Sequence, residues 1–224
     1  MNFDCALAAV TSSRAHEGMT KLTSPTKPAP LSDSFFLLRR FLRDPRNIAT
    51  IWPSSRVLAE AMLRGLTSEA GDLVVEFGPG TGAFTRLIAE RLLSTPGTRY
   101  LGIEGDAKLH ALLEERFAGM TFSHGRVEAD SSWPQDLGDP RFILSGLPLI
   151  SMPPEVLRTI VEGAYRRLRP GGIFRTFSYV HSTPTPGQRR LRRTMAEVFD
   201  SFHTSKPIAR NLPPALVFTG TKRA

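Results

Sequence analysis

Residues 73–82 read LVVEFGPGTG, and this stretch decides the fold. Its apolar start predicts a buried strand, and the acid that follows leads into a glycine-rich turn that opens a helix. The glycines at positions 78, 80 and 82 let the backbone pass close to a ligand where a side chain would collide. The start of the helix points free backbone N–H groups at the same place. The stretch therefore predicts the binding site of a nucleotide-like cofactor.

The choice of cofactor depends on Glu76. Gly78, Gly80 and Ala83 satisfy the dinucleotide pattern GxGxxA taken literally. However, a carboxylate two residues before the first glycine disfavours a pyrophosphate, and it suits a cationic ligand with amino groups, such as S-adenosylmethionine (SAM). The string EFGPGTG resembles the first motif of the class I SAM-dependent methyltransferases. A strand-to-helix turn without a ligand is the alternative, although one glycine would suffice for it.

This resemblance implies SAM as the cofactor and S-adenosylhomocysteine as the product. Within the motif the predicted ligands are Glu76, Gly78, Pro79, Gly80, Thr81 and Gly82. The segment RYLGIE predicts a second strand that ends in Glu104, where an acid accepts hydrogen bonds from ribose hydroxyls, and Gly105 follows it. Asp130 lies where methyltransferases place an acid that meets the adenine amino group. The alternatives are a solvated acid at Glu104 and a helix N-cap at Asp130.

Composition limits the class of protein and suggests its partners. The chain has 224 residues, enough for one α/β domain, and no run approaches the roughly 20 apolar residues that cross a bilayer. A single cysteine, Cys5, argues against an intrachain disulfide and a cysteine-based metal site, so we expect no metal and a reducing, cytoplasmic setting. The net charge of +8 predicts an anionic partner, either nucleic acid or an anionic membrane surface.

The chain before the glycine motif has two predicted segments. Residues 1–30 are rich in Ser, Thr, Pro and Ala and predict a flexible tail. Residues 31–44 contain the string FFLLRRFLR and predict an amphipathic helix at a membrane interface, with docking on the domain as the alternative. Its predicted membrane contacts are Phe35, Phe36, Leu38, Arg39, Arg40 and Arg43.

Residues 45–224 are the predicted methyltransferase domain. Ser54 and Ser55 are candidate ligands, since the segment before the first strand often closes over the methionine end of SAM in this fold, and helix capping is the alternative. From Asp72 onward, strands and helices alternate as in a doubly wound parallel sheet. The predicted strands are 73–77, 99–104, 121–124, 142–146, 172–180, about 198–205 and 215–222, and the helices are 83–94, 106–117 and 154–168. We therefore expect a seven-stranded, mostly parallel, Rossmann-like sheet with helices on both faces and an antiparallel hairpin at its end.

The segment after the fourth predicted strand, SGLPL at 145–149, concerns the methyl acceptor. Methyltransferases that act on adenine N6, including the rRNA adenine dimethylases, carry Asn-Leu-Pro-Tyr or a similar string here. Their polar residue bonds the base amino group and their aromatic residue stacks on the flipped base. This chain has Ser145 and Leu149 in those places, which disfavours a base as the substrate. Ser145 remains a predicted contact of the cofactor.

A narrower resemblance rests on six strings in order. They are PSS at 53–55, EFGPGTG at 76–82, IE at 103–104, SGLPL at 145–149, FSY at 177–179 and NLPPA at 211–215. The set is similar to that of the bacterial phospholipid N-methyltransferases, which make phosphatidylcholine from phosphatidylethanolamine. That family also begins with a membrane-binding amphipathic helix. The resemblance implies a peripheral enzyme on the inner face of the cytoplasmic membrane. The chain departs from the family pattern at Val180 and His181, which replace a glycine after the tyrosine, and at Glu128.

The implied reaction transfers a methyl group to a lipid amine. Tyr179, at the end of the fifth predicted strand, is the candidate that accepts a hydrogen bond from the amine or stabilises a cation with its ring. His181 would relay the proton from the same face if that strand continues. Arg189 and Arg190 lie in the string QRRLRR and are predicted membrane contacts. The alternatives are an RNA or protein methyltransferase, an enzyme of another aminolipid such as ornithine lipid, and a non-catalytic SAM- or membrane-binding module.

Overall fold

A computed structural model describes residues 56–224 of the chain. The predictions for the tail at 1–30, for the amphipathic helix at 31–44 and for Ser54 and Ser55 lie outside these described residues. Within the described range, no helix has the length and apolar character needed to span a membrane.

Seven strands form one sheet in the order β3-β2-β1-β4-β5-β7-β6, and only β7 runs antiparallel to its neighbours. The predicted fold is confirmed. The strands are β1 (Leu73–Phe77), β2 (Arg99–Glu104), β3 (Phe122–His124), β4 (Phe142–Ser145), β5 (Ile173–Tyr179), β6 (Ser201–Thr204) and β7 (Ala215–Thr221). The helices are α1 (56–63), α2 (Ala83–Arg91), α3 (Ala107–Arg116), α4 (Pro154–Arg167) and α5 (Pro186–Val198).

The central strand β1 is buried along its whole length because helices cover both faces of the sheet. Leu73, Val75 and Phe77 pack on the face that α4 and α5 cover. Val74 points to the opposite face, where it packs against residues of α1 and α2. This alternation is that of a doubly wound sheet, in which ligands bind at the carboxyl ends of the strands.

Helix α5 is the one long element that the sequence prediction missed. Thr185 caps its start by accepting a hydrogen bond from the Gln188 N–H at 3.2 Å. Its buried face consists of Gln188, Leu191, Thr194 and Met195, of which two are polar. The apolar periodicity of a packed helix is therefore weak in this segment, and only its cationic character is evident in the sequence.

Candidate active site

The glycine-rich turn follows β1 at the carboxyl edge of the sheet, between β2 and β4. Its three glycines have positive φ angles of 64° at Gly78, 61° at Gly80 and 85° at Gly82. The Gly78 N–H donates to the Ile103 carbonyl at 2.9 Å, which fixes the turn against β2. A methyl group on Gly78 would come within 2.6 Å of the Leu147 side chain, and one on Gly82 would overlap the ring of Phe117.

Gly80 differs from the other two glycines in its surroundings. A Cβ on Gly80 would meet nothing closer than the Gly78 carbonyl oxygen at 4.0 Å, so its open side faces free space. Because its neighbours are packed and it is not, Gly80 is the point of the turn that a ligand can approach closely. The backbone at Thr81 is fixed by α3, since the Thr81 carbonyl accepts a hydrogen bond from the Arg116 side chain at 2.8 Å.

Glu104 lies directly against this turn. Its Oε2 accepts a hydrogen bond from the Gly80 N–H at 2.9 Å, and its Oε1 accepts one from the Asp106 N–H at the same distance. The residue is 7 % exposed. A carboxylate has about four acceptor positions, so two remain for the hydroxyl groups of a ribose. The structure thus brings together two of the predicted cofactor ligands, Gly80 and Glu104, and Gly105 follows them on the same edge.

Glu76 has surroundings that the sequence could not predict. It is completely buried, and its Oε2 accepts hydrogen bonds from the Thr85 hydroxyl at 2.8 Å and from the Tyr100 hydroxyl at 2.6 Å. Burial raises the pKa of Glu76 from its ordinary value of 4.5 to about 7; the hydrogen bonds from Tyr100 and Thr85 oppose this rise, and the charge of Glu104 adds to it. Its Oε1 has no hydrogen-bond partner among residues 56–224, which leaves an acceptor for a ligand amino group.

The segment after β4 covers the glycine turn. The Gly146 N–H donates to the Phe77 carbonyl at 2.8 Å, and the Leu147 side chain packs on Gly78. Ser145 is fully buried, and its hydroxyl oxygen accepts a hydrogen bond from the Leu147 N–H at 3.3 Å. Leu149 is 1 % exposed within the main core. No side chain at this position is therefore free to stack on a base.

Asp130 is the predicted ligand that the structure does not bring to the others. Its side chain is 95 % exposed and pairs with Arg167 in the last turn of α4. The two residues line a cavity with Gly138 and Pro140, which precede the start of β4 at the amino edge of the sheet. The residues that directly follow β3 at the carboxyl edge are Gly125 and Arg126, so no acid occupies that place.

The second half of the site lies at the carboxyl end of β5. Tyr179 is the last residue of this strand, and its ring packs against the edge of the Phe177 ring with centroids 5.9 Å apart. Burial raises the pKa of Tyr179 above its ordinary value of 10.0, so the phenol is neutral near pH 7. Phe177 in turn contacts the edge of Phe84, next to the glycine turn, at 5.6 Å between centroids. A continuous aromatic row thus connects Tyr179 to the first turn of α2.

His181 contacts Tyr179 from a 3-10 turn and not from a continued strand. The predicted strand ends at residue 180, and His181 would share the face of Tyr179 only if the strand continued; it does not continue, because the chain forms a 3-10 turn over Val180–Ser182. The Val180 N–H donates to the Pro214 carbonyl at 2.8 Å, which ends the regular pairing. The imidazole ring still stacks on the Tyr179 ring, with centroids 5.7 Å apart and planes 9° apart. His181 itself is exposed.

The string NLPPA, residues 211–215, lies against the backbone of the segment that carries these two rings, which its position before the last strand did not reveal. Ala215 pairs with Tyr179 across the β5–β7 ladder, and Asn211 is only 2 % exposed. The antiparallel pairing brings the string to the carboxyl edge, because β7 begins where β5 ends. Arg189 and Arg190 lie in the first turns of α5, the helix that follows the turn with His181. They line a groove of about 380 Å³ with Pro186 and Arg193.

Comparisons with known proteins agree with this geometry. Residues 74–172 match the model of a family described as a methyltransferase domain. An ornithine lipid N-methyltransferase from Singulisphaera acidiphila is 34 % identical over 190 residues, which cover 83 % of this chain and 94 % of that protein. Many solved structures share the fold at low sequence identity, among them two methyltransferases.

The first of these is the N-methyltransferase NodS from Bradyrhizobium japonicum in complex with S-adenosylhomocysteine. It is 16 % identical with a TM-score of 0.60, and the match covers 85 % of this chain and 99 % of that one. The second is a TehB-like SAM-dependent methyltransferase from Corynebacterium glutamicum, 16 % identical with a TM-score of 0.54, with 86 % of this chain and 99 % of that one covered.

Proposed function

This chain belongs to the class I SAM-dependent methyltransferases, and we propose that it methylates the amino group of a membrane lipid headgroup. The observation that carries the proposal is the 34 % identity to an ornithine lipid N-methyltransferase across 83 % of the chain. An ornithine-type aminolipid is therefore the first candidate substrate. Phosphatidylethanolamine and its methylated forms are the second, because the strings SGLPL, FSY and NLPPA resemble those of the phospholipid enzymes.

SAM is the cofactor, and the residues around the glycine turn fit it. When bound, it supplies an electrophilic methyl group on a sulfonium centre. Gly80 offers the close approach that the nucleoside needs, and Glu104 offers free acceptor positions to the ribose. Glu76 offers the unpaired Oε1 to a cationic amino group, which would stabilise the ionised carboxylate. Each of these three features is an observation on the chain itself, independent of the family.

The acceptor side has to orient an amine and receive its proton. A primary amine is mostly protonated near neutral pH, so the reaction needs the neutral form with its lone pair. The neutral Tyr179 phenol can accept a hydrogen bond from the amine or offer its ring to the methylammonium product. Tyr179 is poorly suited to act as a base through its phenolate form, since burial disfavours the ionised side chain. The exposed imidazole of His181, stacked on it, is suited to pass the proton to water.

The enzyme would act from the cytoplasmic side, bound peripherally to the inner membrane surface. The cationic charge of the chain and Arg189 and Arg190 on α5 support this, and the helix at Phe35–Arg43 is the further proposed contact. Nucleic acid is the rival anionic partner. A flipped adenine is poorly supported as a substrate, because the place of its stacking residue holds Leu149, which is buried in the core.

Methyl transfer from labelled SAM by the purified chain tests the proposal. The acceptors are offered separately: ornithine lipid, phosphatidylethanolamine, its monomethyl and dimethyl forms, and rRNA. We expect label in the lipid phase, with the ornithine lipid or the phosphatidylethanolamine series identifying the headgroup. Label confined to RNA would refute the lipid assignment. A Gly80→Ala variant, compared with Gly71→Ala, controls for transfer by a contaminating enzyme, since only the first substitution touches the cofactor turn.

A further inference from the structure

The loop between β6 and β7 carries an unusual apolar side chain. Leu212 is 78 % exposed, and it is the one large apolar residue that the described range 56–224 leaves mostly in water. A single exposed leucine is common on protein surfaces and needs no explanation by itself. What distinguishes this one is the set of hydrogen bonds within the loop that presents it and the cationic helix that starts on the same edge of the sheet.

Hydrogen bonds on both sides fix the loop around Leu212. The buried Asn211 donates from Nδ2 to the Pro213 carbonyl at 2.6 Å, and its backbone N–H donates to the Ile208 carbonyl at 3.1 Å. Ile208 itself donates its N–H to the Ala215 carbonyl at 2.8 Å. These hydrogen bonds order the backbone on both sides of Leu212, whose side chain is exposed.

The place of this loop relates it to the acceptor half of the site. The Pro214 carbonyl accepts the Val180 N–H, so the chain two residues beyond Leu212 contacts the turn that bears His181. Helix α5 starts on the same edge, and Arg189 is oriented there by its hydrogen bond to the Pro184 carbonyl at 2.8 Å. Helix α5 contains four arginines and one acid, Glu197. Glu197 pairs with Arg193 of the same helix and with Arg158 of α4.

We propose that this surface, the docking edge formed by Leu212, Arg189, Arg190 and Arg193, lies on an anionic phospholipid bilayer with Leu212 among the acyl chains. Charge complementarity selects the partner, since cationic side chains beside an exposed apolar one match a surface of phosphates over hydrocarbon. The inference rests on the proposed function, because it places the amine of a bilayer lipid at Tyr179. The headgroup would then reach the site without the lipid leaving the membrane.

A fluorescent label tests the contact directly. In a Cys5→Ser background, Leu212→Cys carries an environment-sensitive fluorophore, and Ser94→Cys, exposed after α2 at the amino edge, is the matched control. The chain is mixed with vesicles of phosphatidylglycerol and phosphatidylcholine, and with phosphatidylcholine alone. We expect a blue shift at position 212 on the anionic vesicles and none at position 94. Binding of the chain to these vesicles without a shift at 212 would overturn the docking edge.

Sedimentation with the same vesicles measures the energetic share of each group. Leu212→Ser should weaken binding about tenfold, since a leucine side chain is withdrawn from hydrocarbon, and Leu212→Met should restore most of it. The double variant Arg189→Gln, Arg190→Gln should weaken it about thirtyfold at low salt. Its control is Arg99→Gln with Arg166→Gln, two arginines at the amino edge, which should leave binding unchanged. Equal effects of the two arginine pairs would refute a localised edge.

The outcomes separate this inference from the proposed function. Lipid methylation with no shift at position 212 would leave the function standing and refute the docking edge. A shift at position 212 without transfer to any lipid would support the docking edge and count against the function. If the two α5 substitutions left binding to vesicles unchanged and methyl transfer went only to RNA, both would fail.

Discussion

The backbone N–H of Gly80 donates to Oε2 of Glu104 at 2.9 Å, so the tip of the glycine turn and the end of β2 are joined by a charge-assisted hydrogen bond. This contact connects the part of the turn that a ligand can approach with the predicted ribose ligand. It makes the shape of the turn dependent on the same carboxylate that would hold the ribose.

Glu104→Gln should weaken SAM binding by at least about tenfold and lower the free energy of unfolding by about 1–3 kcal/mol. Glutamine replaces one carboxylate oxygen with an NH₂ donor, so the N–H of Gly80 or of Asp106 loses its acceptor. Calorimetric titration and chemical denaturation measure the two effects. Glu115→Gln, on the exposed side of α3, is the control; equal SAM affinity in the two variants would contradict the role of Glu104.

Gly80→Ala should abolish measurable SAM binding at a modest loss of stability. Its φ of 61° costs an alanine about 1–2 kcal/mol, and the new methyl group fills the open side of the turn. Gly71→Ala is a matched control, because Gly71 has a φ of 85° and open space around it at the amino edge. We expect similar shifts in Tm for both variants, with SAM affinity lost only in the first. Loss of affinity in both would indicate a general effect of backbone strain.

Glu76 should make the ligand-free protein less stable as the pH rises from about 4.5 to 7. Its pKa is raised on folding, so the folded state retains a proton that the unfolded state has released, and the stability is lost through this window. The full effect is about 3 kcal/mol for a shift of this size. Glu76→Gln should remove that pH dependence.

Denaturation of wild type and Glu76→Gln at pH 5 and pH 8 measures this difference. Glu90→Gln, on the exposed surface of α2, is the control and should follow the wild type at both values. SAM should restore more stability to the wild type at pH 8, because a cationic amino group near Oε1 favours the ionised carboxylate. Parallel curves for wild type and Glu76→Gln would show that Glu76 does not titrate in this window.

Tyr179→Phe should lower kcat about tenfold while SAM affinity stays unchanged, since the phenol would act on the amine and lies outside the glycine turn. Tyr179→Ala removes the ring as well and should cost about a further tenfold. Steady-state methyl transfer to the lipid gives both values. Tyr165→Phe on α4, whose phenol bonds to Asp200, is the control and should retain full activity. If Tyr179→Phe matched this control, the hydroxyl would have no part in the reaction.

The sequence predicted the cofactor half of the fold closely because local signals determine it. Strand β1 ends where the predicted strand ends, at Phe77, since the glycines that follow require positive φ angles that a strand cannot hold. Helix α5 was not predicted, because Gln188 and Thr194 occupy its buried face and conceal the apolar period. The placement of residues 211–215 beside Tyr179 depends on a long-range antiparallel pairing, which no local pattern specifies.

The candidate site shows the same division. The placement of Glu104 beside the glycine turn follows from its position at a strand end, whereas the surroundings of Glu76 depend on Tyr100 and Thr85 from two other elements. Asp130 was assigned from the resemblance to the methyltransferases, which place an acid in this part of the sequence. In the structure β3 ends at His124, and the chain after it crosses toward α4, where Arg167 pairs with that acid. A place in a sequence motif does not predict such a crossing.

The position of β7 between β5 and β6 has a consequence for the nascent chain. During synthesis β5 and β6 both leave the ribosome before β7, which pairs with each of them. The edge of β5 therefore stays unpaired until residues 215–221 have emerged. The parallel strands around the glycine turn need no later segment of the sheet and can assemble earlier. We therefore expect a partly made polypeptide that ends before Ala215 to hold a nearly complete cofactor pocket and an unfinished acceptor side. Such an intermediate would be a natural client for chaperones that shield strand edges.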